Sequence, residues 1–305
     1  MMKKGLMVTG LAIIAAALLL AGCGNEDNGG GADISQQDLV DNIISAEEGI
    51  QRGKFNLQMG MDVNSSGEGE TVKVDMTVDG DGVIDNVNRK MRMTMNMDME
   101  MKMLGMDMDQ EYEMEMYSIG NTMYMKTSEM MGMPEQWIKS EVPEDYWQSE
   151  DMIAQQTELL KEANLNISDG GKVNGRACYK VEVVPDLETL YETMMQQPGM
   201  GGSAIDDLPE GMDISDVIEM IDGMKVVQWY DKDTFFLMKA DMEMSMSMSG
   251  DDMGMIGAEG DMEMNIAMTV NFSDYNKPVT IELPSEAAEA IDVNDMYDNG
   301  QGIEF

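Results

Sequence analysis

Residues 91–103 carry methionine at every odd position and a polar residue at every even one. Wound as a helix, at about 100° per residue, that spacing would scatter the methionines around the whole circumference and leave no apolar face. Extended as a strand, it points all of them one way. The stretch therefore predicts a β-strand with one apolar and one wet face, of the kind found in antiparallel sheets solvated on one side. The same period runs through residues 54–64 on odd positions (Phe55, Leu57, Met59, Met61, Val63) and 71–78 on even ones (Val72, Val74, Met76, Val78). It returns in 235–248 and 261–272, where Met242, Met244, Met246 and Met248, then Met262, Met264, Ile266, Met268, Val270 and Phe272 keep one parity. At Leu104-Gly105 the apolar positions switch to even (Met106, Met108, Tyr112, Met114, Met116), which marks a hairpin or a bulge.

Further strands are predicted around Gly120-Asn121, at 136–139, 172–184, 224–230 and 278–283, about eleven in all. Asp79-Gly80-Asp81-Gly82 reads as a turn from its residue types, and it lacks the glutamate that would complete a calcium loop. Helical spacing is confined to a few segments. Residues 34–50 place Leu39, Ile43 and Ile50 on one side, with Ser35 as N-cap. Residues 144–163, a stretch opened by Pro185-Asp186, and a short one carrying Ile214, Val217, Ile218 and Ile221 supply three more apolar stripes. Between the last two, 197–211 reads as a loop, and the acid- and alanine-rich residues 285–305 read as a flexible tail. Many one-faced strands against few helices predict an α+β fold: a curled antiparallel half-barrel with amphipathic helices on its concave face, leaving a slot.

The chain opens with Lys3 and Lys4, an apolar run over 11–20, and Leu20-Ala21-Gly22-Cys23. That run is short of the ~18–20 residues a membrane span needs. It is read instead as a lipoprotein signal peptide over 1–22, cleaved before a lipid-bearing Cys23. A glycine-rich tether over 23–35 then leads to a single domain over 36–305. The expected location is the outer face of the cytoplasmic membrane or cell envelope, with the membrane as a partner through the lipid anchor. Cys178 is the only other cysteine, so the mature chain has no intramolecular disulfide; it sits in a strand with parity opposite to Tyr179, Val181 and Val183 and is read as inert. A net charge of −40 repels nucleic acid. The absence of histidine removes the commonest general base and metal ligand, and no nucleophile elbow, phosphate-cradling loop or metal-ligand spacing is present. A non-enzymatic binding protein without a cofactor is expected.

Several segments carry a family likeness. They are the Cys23 lipobox, Gly120-Asn121-Thr122-Met123-Tyr124-Met125-Lys126 followed by Trp137-Ile138-Lys139, and Gly175-Arg176-Ala177-Cys178-Tyr179-Lys180-Val181. Trp229-Tyr230-Asp231-Lys232-Asp233-Thr234 and Phe272-Ser273-Asp274-Tyr275-Asn276-Lys277-Pro278 belong with them. Together the chain resembles the LolA-like lipoproteins of the LppX and LprG type. That resemblance implies an unclosed antiparallel half-barrel whose concave side is plugged by helices, with acyl chains held between. The density of methionine departs from the family pattern, and no ligand-binding residue carries over.

Three readings compete for the methionines. They can be apolar filler, which is compatible with any function, including a cell-surface interaction module with a solid core. Yet methionine loses side-chain entropy that valine would not, so a whole ladder of it needs compensation. Adaptable recognition is one, because unbranched thioethers repack around ligands of variable shape. A cavity lined by Met91, Met93, Met95, Met97, Met114, Met116, Met244, Met246, Met264 and Met268 would take lipid or another hydrophobic ligand. The third reading is a soft metal, Cu(I) or Ag(I), although sulfurs two residues apart on a strand start about 7 Å from each other.

Overall fold

The computed structural model describes residues 33–67, 70–103, 106–127, 135–142, 165–183, 220–248 and 260–293. Among them lie a helix, α1 (Gln36–Glu47), and strands β1 (Arg52–Gly67), β2 (Glu70–Asp85), β3 (Lys90–Met103), β4 (Met106–Ile119), β5 (Thr122–Thr127) and β6 (Gln136–Glu141). They continue as β7 (Leu165–Val173), β8 (Arg176–Val183), β9 (Ile221–Asp231), β10 (Leu237–Met248), β11 (Asp261–Ser273) and β12 (Ile291–Asp292). All form one 12-stranded sheet in the order β12-β6-β5-β4-β3-β2-β1-β11-β10-β9-β8-β7. The sheet is curled and unclosed, with β12 and β7 at its free edges. Its centre is the long-range pairing of β1 with β11, in register from Lys54↔Ser273 to Ser66↔Asp261. Every pairing is antiparallel except β12 on β6.

Helix α1 starts where its sequence directs. Ser35 is the N-cap, its Oγ accepting from the Asp38 N–H at 3.1 Å and donating to Asp38 Oδ2 at 2.7 Å. Leu39, Val40 and Ile43 are 0–1 % exposed and pack on the sheet with Met59, Val78, Met95, Val226, Met242 and Met268. Past the helix, Asn276 fixes the chain's exit by donating from Nδ2 to the Gly49 carbonyl and accepting the Gln51 N–H. The other helical stripes fall outside the described residues, except that Ile221, expected on the last of them, opens β9. The described part of the molecule is therefore mostly β, with a single helix.

Other differences have physical reasons. Asp79-Gly80-Asp81-Gly82 is not a turn but the interior of β2, and the reversal comes at 86–89. Its glycines serve packing: a Cβ on Gly82 would lie 1.9 Å from Cζ of Phe55, and one on Gly80 would lie 3.2 Å from Cγ of Met95. Residues 172–184, expected as one strand, contain the Asn174-Gly175 hairpin turn, both residues at positive φ, and split between β7 and β8. Residues 278–283 pair with nothing as a strand. They cross the wet face, where Ile281, Ala287 and Ala290 pack with Tyr117 and Trp137, and the Lys90 ammonium donates to the Ile281 carbonyl. Part of the expected tail is thus built in, as a 3-10 turn (Ser285–Glu289) and β12.

Candidate ligand-binding face

The registers align side chains into rows that cross the sheet on the face bearing α1. One row runs Tyr112, Met97, Val78, Met59, Met268, Met242, Val226, Val183, Leu165. A neighbouring row, toward the turn at 86–89, runs Met114, Met95, Gly80, Leu57, Val270, Ala240, Gln228, Val181, Ile167. In the other direction follow Met99, Met76, Met61, Ile266, Met244 and Met224, then Met108, Met101, Val74, Val63, Met264 and Met246. The last row is Met106, Met103, Val72, Ser65, Met262 and Met248.

All ten candidate methionines lie on this one face, and the fold brings them together in two groups. Met91, Met93, Met95, Met97, Met114 and Met116 occupy β3 and β4, while Met244, Met246, Met264 and Met268 occupy β10 and β11. The central strands β1 and β2 separate the groups. Met95 and Met268 are buried, at 4 % and 3 % exposed; the other eight are half-buried.

Burial falls along the strands. The rows under α1 are buried at their middle, from Val78 and Met59 to Met268 and Met242, whereas Met108 is 40 % and Met106 53 % exposed. Covering such side chains releases about 25 cal/mol per Å² of apolar surface, so this end of the face is an energetic invitation to an apolar occupant.

The opposite face has different chemistry. A hollow of about 410 Å³ sits over Gly60 and Ala267 and is walled by Gln58, Thr77, Asp79, Asp241, Glu243 and Thr269. Two of its three carboxylates are already engaged: Asp79 accepts from Gln58 at 3.1 Å, and Asp241 from Lys239 at 2.7 Å and Thr269 at 2.8 Å. Such a wall suits water better than an alkyl chain. Cys178 belongs to this face but is fully buried, and burial pushes its thiol pKa up, as an inert residue requires.

Sequence patterning missed two clusters at the turn end of the sheet. Asp231, 1 % exposed, receives the Arg176 guanidinium together with the N–H and O–H of Thr234 and the N–H of Asp233. Burial alone would raise its pKa, and these donors outweigh it and hold the carboxyl at about 2. At the last position of α1, half-buried Glu47 has its pKa raised to about 7 by desolvation. Its charge also adds to the burial that already raises Tyr230 and Tyr275. Neither Asp231 nor Glu47 carries a local sequence signature, since their surroundings are assembled from remote strands and turns.

The described elements run from the Ser35 cap of α1 to Asp292 in β12, and residues 35–292 match the family of unknown function DUF6612. The chain belongs to that family. No curated protein matches this DUF6612 chain. Among solved structures it is similar to a DUF1329 family protein from Desulfovibrio piger, at 12 % identity and TM-score 0.19, covering 80 % of this chain and 94 % of that one. It is also similar to lipovitellin in a structure concerned with lipid–protein interactions, at 8 % identity and TM-score 0.28, covering 77 % of this chain and 26 % of that one. A β-barrel-like DUF1849 protein from Brucella abortus follows at 10 % identity and TM-score 0.24, covering 74 % and 97 %. The match over residues 35–292 is what shows the DUF6612 family, and these comparisons do not confirm the expected LolA-like family.

Proposed function

We propose that this DUF6612 protein is an exported, lipid-anchored, non-enzymatic carrier that holds a hydrophobic ligand, the acyl chains of a lipid, against its methionine-rich face. The observation that carries the proposal is the burial gradient. Rows of methionine continue well past the reach of α1, and among the described residues their far end is left open to water. Thioether side chains conform to chains of differing length, which suits a carrier better than a site for one rigid ligand. The fold supports the reading, since an unclosed curled sheet offers a long apolar trough. The LolA-like resemblance is the finer form of it.

Signal peptide, Cys23 and the tether as far as residue 32 lie outside the described residues, whereas its last position, Ser35, caps α1; anchoring at the outer membrane face is part of the proposal. Among the described residues no helix is long and apolar enough to cross a membrane. The test is to purify the protein from its native membrane, remove free lipid, extract it into organic solvent and examine the extract by mass spectrometry. Stoichiometric lipid beyond that attached at Cys23 is expected. An extract without it, together with no saturable uptake of a fluorescent acyl probe, would overturn the carrier role.

A further inference from the structure

The free ends of two long hairpins share an arrangement that a lipid trough does not require. On β3 and β4, Met101 stands directly opposite Met108 and Met103 opposite Met106. On β10 and β11, Met246 stands opposite Met264 and Met248 opposite Met262. Each end is thus a square of four thioethers on one face. At the same level, the intervening strands β1 and β2 carry Val63, Ser65, Val72 and Val74 instead. The sheet meets its need for apolar side chains there with valine, a better strand former than methionine. Sulfur is concentrated on either side.

We infer that each square is a binding site for a soft monovalent cation, Cu(I) or Ag(I). Sulfurs along one strand are too far apart to share an ion readily, but directly opposed Cβ atoms lie about 5 Å apart and successive same-face ones about 7 Å. The centre of such a square is then about 4 Å from each Cβ. A methionine sulfur lies two bonds beyond Cβ on a flexible arm, so four of them converge over that centre without moving the backbone. Neutral thioethers select soft d10 cations over calcium, magnesium or zinc. Among the described residues no group of three or more cysteine, aspartate or glutamate side chains is placed to hold a metal ion, so no oxygen or thiolate site competes there. The chain's net charge of −40 attracts cations to its surface while the ligands themselves stay uncharged. Met106 and Met108, at 53 % and 40 % exposed, stand open to solvent, so an incoming ion can reach them.

A third square, Met93, Met95, Met114 and Met116, has the same register but includes buried Met95, packed under α1. It provides an internal contrast.

The full chain, labelled with 13C at the methionine methyls and kept without oxygen, is titrated with Cu(I) against a chromophoric Cu(I) chelator, and in parallel with Ag(I). Two equivalents are expected to be withheld, with shifts confined to the methyls of the two end squares and absent at Met93, Met95, Met114 and Met116. Replacing Met101, Met103, Met106 and Met108 together by Leu removes one equivalent, and replacing Met246, Met248, Met262 and Met264 by Leu removes the other. Leucine keeps the apolar surface but carries no sulfur, so metal lost in these variants reports the thioethers themselves, and the acyl probe is titrated separately into the unaltered, metal-free protein, so that failure of the metal sites and failure of the carrier role are read apart. No Cu(I) withheld by the unaltered protein, shifts outside the end squares, or full stoichiometry in the leucine variants would overturn the inference. Should a fourfold variant fail to fold, the methyl shifts of the unaltered protein decide.

Discussion

Gly82 shows how a single missing side chain shapes the apolar face. The ring of Phe55 on β1 lies over Gly82 of the neighbouring β2, in the volume a Cβ would take. Replacing Gly82 with Val forces the ring out and is expected to destabilise the fold by about 1–3 kcal/mol, as overpacking does. Combining it with Phe55→Ala should recover part of that loss, a coupling that a double-mutant denaturation cycle measures. Glu47 makes a second prediction at this scale. Desolvation raises its pKa from 4.5 to about 7, so the folded state prefers the protonated acid. Its stabilising preference is complete below the unfolded pKa and is lost as pH rises from about 4.5 through about 7. Glu47→Gln should therefore stabilise the protein by about 1–2 kcal/mol near pH 8 and leave it unchanged near pH 4, measured by thermal unfolding at both.

Among the elements, α1 is the seal on one end of the apolar face. Ile43 is 0 % exposed beneath it, and Ile43→Ala should cost about 2–5 kcal/mol in chemical denaturation. Ser35→Ala, which removes only the cap, should cost about 1 kcal/mol. The long strands were legible because alternation at period two has one meaning: every tested odd or even ladder on β1, β2, β3, β4, β10 and β11 lies on the face it was expected to share. What failed was local punctuation. Gly80 and Gly82 look like a turn by composition, yet they are strand residues whose missing side chains admit Phe55 and Met95. Asn174-Gly175 is a true turn signal set inside a strand-like run, where its flanks outweigh it. The docking of Ile281 and Ala287 on Tyr117 and Trp137 could not be read, because that contact joins segments far apart in sequence. Within the sheet, hydrogen exchange should rank the ends: amides near Met106 and Met108 open more readily than those near Met95, because fewer apolar contacts hold them.

At the scale of the whole molecule, an open sheet must guard its edges. β12 is two residues long, and β7 is interrupted by a register shift between Asp169 and Lys172; both features discourage pairing with another chain. The wet face adds paired charges such as Lys73 with Asp75 and Lys239 with Asp241. With edges and wet face protected in this way, the partly covered methionine face is the surface through which a guest is expected to act. Its occupancy is tested most directly by titrating an acyl-chain ligand into protein labelled with 13C at the methionine methyls. Saturable shifts at Met97, Met99, Met101, Met244, Met246 and Met264 would place the ligand in the trough. Shifts that never saturate, or none at all on those residues, would contradict a carrier built on this face.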